Sequence, residues 1–419
     1  MSKVRYGLDF GTSNSAIAVY RGDKVEVVPL SAGGAKTIKS VMYFDGNKPY
    51  PEVGQTAIAK YVENGMTGRF IQSIKSMLPD PLFDGSVIFG RPISIEEFVT
   101  FILRHLKEAA DAYTGENVGT VVLGRPARFS PVPEEDRLAQ ERLRTAASRV
   151  GFTDIYFQPE PVAAALTYAH NQRHEQLVLV ADLGGGTSDF TIMRLLPRQL
   201  DANNLPHQIL ATSGVEIGGD LLDTRLMFNR ITKYFGLNLK WRHFDRLCEM
   251  PRHLMGQISD WRRISFLKNA YDREFIQRLM AFSDDTDSAK RLSALIEENL
   301  AYSLFRSIEN AKCRLSSWQS ARVLYRQSII NIAERVTRDQ FNEDIDGERI
   351  ALQSCVESML SRAGINAADI EVIFMTGGTS YVPRFRTLLA GMFPQASMRT
   401  GDAFTSVVYG LALTDPETL

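Results

Sequence analysis

Apolar positions near the start of the chain run together and then end on an acid. In "GLDFGTSNSAIAVY", which begins at Gly7, a short apolar strand closes at Phe10 and a turn of small hydroxyl and amide side chains follows. "SAIAVYRGDKVEVVPL" then reads as a hairpin with its turn at "RGDK". The same order returns later: "EQLVLVADLG" as a strand, "SDFTIMRLL" as a second and "HQILATSGVEIGG" as a third. Each copy reads strand, Asp-x-Gly turn with hydroxyls, strand, strand.

Helical patterns follow in each half. "SIEEFVTFILRHLKEAADAYTG" has apolar residues at three- and four-residue spacing and stops at Gly115. "VGTVVLGRPARF" is a strand, and "EEDRLAQERLRTAASRVG" a second amphipathic helix. Two βββαβα-like halves opening on the same acidic turn predict an internal duplication. A single pair of copies at long spacing excludes a solenoid. The expected division is a first lobe over 1–172 and a second over 173–419. A helix-rich, charged insert at about 233–310 interrupts the second lobe, and "KWRHFDRLCEMPRHLMGQISDWRRISFLKNAYDREFIQRLM" falls within it. "FSDDTDSAK" reads there as a polar turn or helix start. "LIEENLAYSLFRSIENAKCRL" reads as one long helix, with Leu295, Leu300, Leu304 and Ile308 among its apolar positions. No Pro/Ser/Gly-rich linker divides the chain, so packed lobes are expected.

Composition narrows the class without deciding it. The 419 residues are 44% hydrophobic and 23% charged, as in ordinary globular proteins. A net charge of −1 gives no basic field for nucleic acid. Cys248, Cys313 and Cys355 fit neither a disulfide framework nor a zinc site. "MSKVRYG" lacks a signal-peptide core, and no apolar run is long enough to span a membrane. A cytoplasmic protein with no membrane partner is expected.

An aspartate at the end of an apolar strand costs free energy unless something partners it. In "DLGGGTSD", three glycines allow a turn that aims successive N–H groups at an anion. Thr187 adds a hydroxyl, and Asp182 is placed to hold a hydrated magnesium. "DFGTSN", Asp9 to Asn14, supplies the same parts from the first half. Two such hairpins facing each other would pinch a polyphosphate. A bare pair of β-turns is the alternative. A third element, "IEVIFMTGGTSYVPRFRTLLAGMF", places Gly377 and Gly378 between a strand and a helix that starts after Pro383.

"GLDFGTSNS", "QPEPVAAALTYA", "VADLGGGTSDFTI", "GVEIGGDLLDTR", "ENAKCRLSS" and "MTGGTSYVPRF" together resemble the signatures of the Hsp70 nucleotide-binding domain, in that family's order from Gly7 to Gly410. Short YegD-like Hsp70 homologues are the nearest likeness. The resemblance implies an α/β, actin-like ATPase fold: two ribonuclease H-like lobes around a cleft for ATP or ADP with Mg. It implies that Asp9 and Asp182, completed by Glu160, hold magnesium mostly through water. It assigns Gly11, Thr12, Ser13 and Asn14 to the first phosphate loop, and Gly184, Gly185, Gly186 and Thr187 to the second. Catalytic roles fall to Lys75, Glu160, Asp182 and Thr187, with Lys75 stabilising the transferring phosphoryl. Pro126 resembles the proline that links the site to the lobe interface. Glu309, Lys312 and Ser316, on one helical face, would hold ribose and adenine. Gly218, Gly219, Gly377 and Gly378, with Asp220, Thr379 and Tyr381 beside them, would line the adenosine pocket.

Two departures stand out. The family's adenine-flanking arginines are Cys313 and Tyr381 here; a tyrosine can stack on a base, but the cationic contribution is gone. The insert is longer than the family's usual lobe, where exchange factors commonly bind, so a protein partner is expected there. The sequence ends at "LALTDPETL", with nothing resembling the family's peptide-binding domain. The leading expectation is a slow ATPase. A non-catalytic nucleotide-dependent switch, an actin-like filament protein and a small-molecule kinase are the alternatives.

Overall fold

Both copies of the sequence pattern become five-stranded arrangements with the same strand order. The computed structural model describes residues 4–22, 24–31, 33–65, 67–169, 174–195, 209–264, 267, 269–401 and 405–419. The first sheet runs Asp154–Pro159, Thr120–Arg125, Arg5–Phe10, Asn14–Arg21, Lys24–Val27, with Ile38–Lys39 also on Asn14–Arg21. The second runs Ser397–Thr400, Val372–Thr376, Gln176–Leu183, Ser188–Leu195, Ile209–Val215. In each, the first three strands in sequence are antiparallel neighbours, while the fourth and fifth lie parallel on the other side of the first. The predicted duplication is therefore present, and it puts Asp9 and Asp182 at matching strand ends.

The helices follow their local signals. Ile95–Thr114 buries Phe98, Ile102, Leu106 and Ala110 on one stripe. Ser94 Oγ accepts from the Glu97 N–H at its start, and Gly115 closes it at φ 74°. Pro133–Val150 follows the fourth strand. Asp346–Ala363 and Pro383–Met392 take the same places in the second half.

Each half ends in a short helix, Glu160–Ala169 and Ser406–Leu413, and these two cross. A Cβ at Gly410 would lie 1.8 Å from the Ala163 carbonyl oxygen, so only glycine permits the approach. The first of these helices packs Val162, Ala163 and Ala165 against Val178, Val180 and Met193 of the second sheet. The other packs Val408 and Ala412 on Ala16 and Ala18 of the first.

The region at 233–310 is helical, with one exception. Lys240–His243 and Arg246–Glu249 form an antiparallel hairpin inside the stretch read as helix-rich. Trp241 and Cys248 face each other across it, and Trp241 meets Phe275 edge-on at 5.3 Å. The expected long helix is two, Thr286–Glu297 and Ala301–Ser317. Asn299 at φ 57° takes the left-handed conformation that ends the first. Leu254, Met255, Ile258, Leu279 and Leu292 join the core of the second sheet, so the insert is packed in. The 172/173 lobe division falls just outside the described residues. Among the described residues, no helix is long and apolar enough to cross a membrane.

Candidate functional site

The two Asp-x-Gly turns face each other across a cleft. A Cβ on Gly185 would lie 1.9 Å from Ser13 Oγ, and one on Gly186 3.2 Å from Thr12 Cγ2. Gly11 is required by the first turn itself, where a Cβ would meet the Asn14 carbonyl at 2.2 Å. Gly184 N–H donates to Thr187 O at 2.9 Å and closes the second turn. That turn is braced from behind: Gly219 and Asp220 N–H donate to the Gly184 and Gly185 carbonyls, and Thr379 Oγ1 donates to Gly184 O at 2.7 Å. A cavity of about 680 Å³ lies between the turns, within the usual range for small-molecule sites.

An acidic cluster with one ammonium lines this cavity. Lys75 sits in the short 3₁₀ turn Ile74–Met77 and is buried. Its Nζ donates to Glu160 Oε1 at 2.6 Å, from one lobe element to the N-terminus of helix Glu160–Ala169. Burial disfavours the Lys75 ammonium, but Glu160, Asp9 and Asp182 outweigh it and hold its pKa above the ordinary lysine value. Burial pushes the Asp9 carboxyl up to about 7, helped by Glu160 and opposed by Lys75. Asp182 is pushed well above the carboxylate range by burial, then by Glu160, Asp189 and Asp9. Asp189 is raised to about 6 by burial, although Thr187 Oγ1 donates to its Oδ2 at 2.9 Å. The shared first cause is burial, and the neighbouring carboxylates add to it against a single lysine.

Helix Ala301–Ser317 forms the far wall. Lys312 Nζ donates to Gly219 O at 2.8 Å and to Asp223 Oδ2 at 2.6 Å, tying this helix to Gly219–Leu226. Glu309 reaches the other lobe instead, accepting from Lys39 Nζ at 3.0 Å. Burial works against the Glu309 carboxylate, yet Lys39 and Lys312 hold its pKa below the usual value. Tyr302 of the same helix meets Phe70 and Tyr61 of the first lobe at 4.9 and 5.9 Å.

Of the expected residues, Asp9, Gly11 to Asn14, Lys75, Pro126, Glu160, Asp182, Gly184 to Thr187, Asp220, Gly377 and Gly378 line one cavity. Glu309 lines a smaller neighbouring one with Thr12, Ser13 and Asp220. Gly218, Gly219, Thr379 and Lys312 support the walls from behind. Ser316 is half-buried on its helix, and Tyr381 is 44% exposed. Lys39, Asp189 and Asp223 were not expected; Asp189 and Asp223 stand inside the quoted motifs, whereas Lys39 had no sequence signal. Gly256, Asp260 and Arg263 of the insert also line the main cavity, and no spacing in the sequence points to them.

The family profile described as "Hsp70 protein" matches residues 5–88, 83–240 and 272–415. The chain belongs to the Hsp70 family. Its two matching sheets are the actin-like ATPase fold of Hsp70 proteins, as expected. A chaperone protein DnaK of Thermosipho melanesiensis is 28% identical over 420 residues, covering 98% of this chain and 59% of that protein. The chain thus spans less than two thirds of the length of this Hsp70 relative. The Hsp70 profile leaves out residues 241–271, between its second and third matches. Gly256, Asp260 and Arg263, which line the cleft, belong to that unmatched stretch.

Proposed function

We propose that this chain is a chaperone-related ATP-binding protein that hydrolyses ATP to ADP and phosphate with magnesium and couples nucleotide state to closure of its two lobes. The observation that carries this reading is the opposition of the two glycine turns, Gly185 against Ser13, in a cavity that Lys75 and Glu160 also line. Backbone N–H groups of both turns can donate to a polyphosphate from opposite sides. Lys75 offers an ammonium where charge grows on the transferring phosphoryl, and Thr187 offers a hydroxyl. Asp182 and Glu160 would orient the attacking water.

Among the described residues no three acidic, His or Cys side chains are grouped to ligate a metal directly, so Asp9, Asp182 and Glu160 would hold magnesium mostly through its water shell. When bound, magnesium supplies charge neutralisation on the phosphate oxygens. On the nucleoside side, Glu309, Lys312, Ser316, Tyr381 and the glycines at 218–219 and 377–378 would hold adenosine. Cys313 and Tyr381 in place of arginines would weaken the grip on the base. The insert presents exposed Phe244, Leu247, Tyr271 and Phe282, which supports a protein partner there. A cytoplasmic setting accords with the sequence reading.

Calorimetric titration with ATP and ADP, with and without magnesium, tests binding. Steady-state phosphate release tests turnover. Lys75→Ala and Asp182→Asn should each lower turnover by about 10²–10³-fold while binding persists. Wild-type turnover untouched by both changes would remove the mechanism. Lys75 is already satisfied by Glu160, which favours a second reading: a nucleotide-dependent switch that binds without turnover. Tight binding with no phosphate released would decide for it.

A further inference from the structure

The strands Ser320–Gln327 and Ile330–Thr337 form a two-stranded ribbon on the wall helix Ala301–Ser317, with residues alternating between buried and exposed. Ala321, Val323, Tyr325, Ile332 and Val336 face the core. The outward face is Arg322, Leu324 and Arg326 on one strand, and Asn331, Ala333 and Arg335 on the other. Arg322 stands directly opposite Arg335, and Leu324 opposite Ala333. Like charges directly opposed across a ribbon destabilise it.

Nothing among the described residues offsets that cost. None of the three arginines pairs with a described carboxylate; the one contact is Arg335 Nη2 donating to Ser320 Oγ at 3.5 Å. Glu334 sits on the inner face, bound to Lys233 at 2.9 Å and to the Tyr234 hydroxyl at 2.8 Å. Glu298 accepts from Ser328 Oγ at the ribbon's turn, at 3.0 Å. Leu324 lies 57% exposed between Arg322 and Arg326, and Trp318 just before the ribbon is 69% exposed. Side chains two apart on a strand stand about 7 Å apart. The face therefore presents cation, apolar group, cation at the repeat of an extended chain.

We infer that this outward face docks an extended acidic protein segment, its carboxylates meeting Arg322, Arg326 and Arg335 and an apolar side chain covering Leu324. Opposite charge relieves the opposed arginines, and the apolar centre provides an anchor inside a charged rim. The apolar centre argues against a nucleic-acid strand, whose phosphates would leave Leu324 uncovered. The ribbon is held in place, so little ordering is lost on binding: the Tyr325 hydroxyl donates to Leu300 O at 3.2 Å, and Arg338 Nε to Leu315 O at 2.9 Å.

The test is fluorescence anisotropy of the full chain with a labelled synthetic peptide in which glutamate and threonine alternate around a central leucine. Saturable binding is expected, weakening as salt rises and for a peptide with glutamine in place of glutamate. The combined Arg322→Ser, Arg326→Ser and Arg335→Ser variant should bind about tenfold or more weakly, a difference of about 1.4 kcal/mol. Leu324→Ser should also weaken binding. Thermal melting of the triple variant should match or exceed the wild type, because the opposed charges are gone, so lost binding would not reflect unfolding. No saturable binding, or equal binding by the triple variant, would overturn the inference. So would tighter binding of an oligothymidylate strand, or self-association of the chain that the triple variant abolishes.

Discussion

Asp189 pairs with Thr187 at the rim of the acidic cluster, and its raised pKa makes a prediction that does not depend on nucleotide. The carboxyl is lifted from 3.8 to about 6, chiefly by burial. The folded state therefore holds a proton there that the unfolded chain releases at lower pH. Stability from this group is complete below 3.8 and is lost as pH rises through about 6. The melting temperature should fall across that window, and Asp189→Asn should flatten the fall while keeping an acceptor for Thr187. A variant whose melting temperature falls as steeply as the wild type would contradict this. Residues of this kind were half legible in the sequence. The two acid-tipped turns announced themselves through their glycines. Lys75 did not, because a lysine in "FIQSIKSML" carries no sign that a left-handed Ser73 will turn it inward, toward Glu160.

Among the elements, helix Ala301–Ser317 is tied to Gly219–Leu226 by one buried ion pair, Lys312 with Asp223. Removing Lys312 would leave Asp223 and the Gly219 carbonyl without their donor. Lys312→Met should cost about 3–5 kcal/mol in denaturant unfolding. Adding Asp223→Leu should restore most of that, and a double variant no more stable than the single one would show the pair is not coupled. Most elements were readable where hydrophobic period and end signals agreed, as at Ser94 and Gly115. They were misread where charge hid the period. In Lys240–Glu249, charge on both faces, Arg242 on one and Arg246 on that of Trp241 and Cys248, hid the two-residue period. The helix break at Asn299 rests on a single left-handed residue between two good helical patterns.

At the scale of the molecule, the lobes meet where the two closing helices cross. Gly410→Ala sets a methyl against the Ala163 carbonyl and should cost roughly 1–3 kcal/mol as an overpacked contact, lowering the melting temperature by several degrees. Gly391→Ala, in a helix with open space around it, should leave the melting temperature unchanged or slightly raised. Equal effects from the two changes would show that the crossing does not limit stability. The insert's share of the cleft wall was not legible, because Asp260 and Arg263 reach the cavity only through tertiary packing of a stretch with no repeat in the other half.

The crossing also means that the two halves lend each other their last helix. The first sheet is covered by residues from the far end of the chain, with Arg5 Nε donating to Ala412 O at 3.1 Å. The second is covered in turn by Val162, Ala163 and Ala165. A polypeptide severed between helix Glu160–Ala169 and strand Gln176–Leu183 would thus yield fragments with bare apolar faces, insoluble apart and able to reconstitute one another when co-expressed.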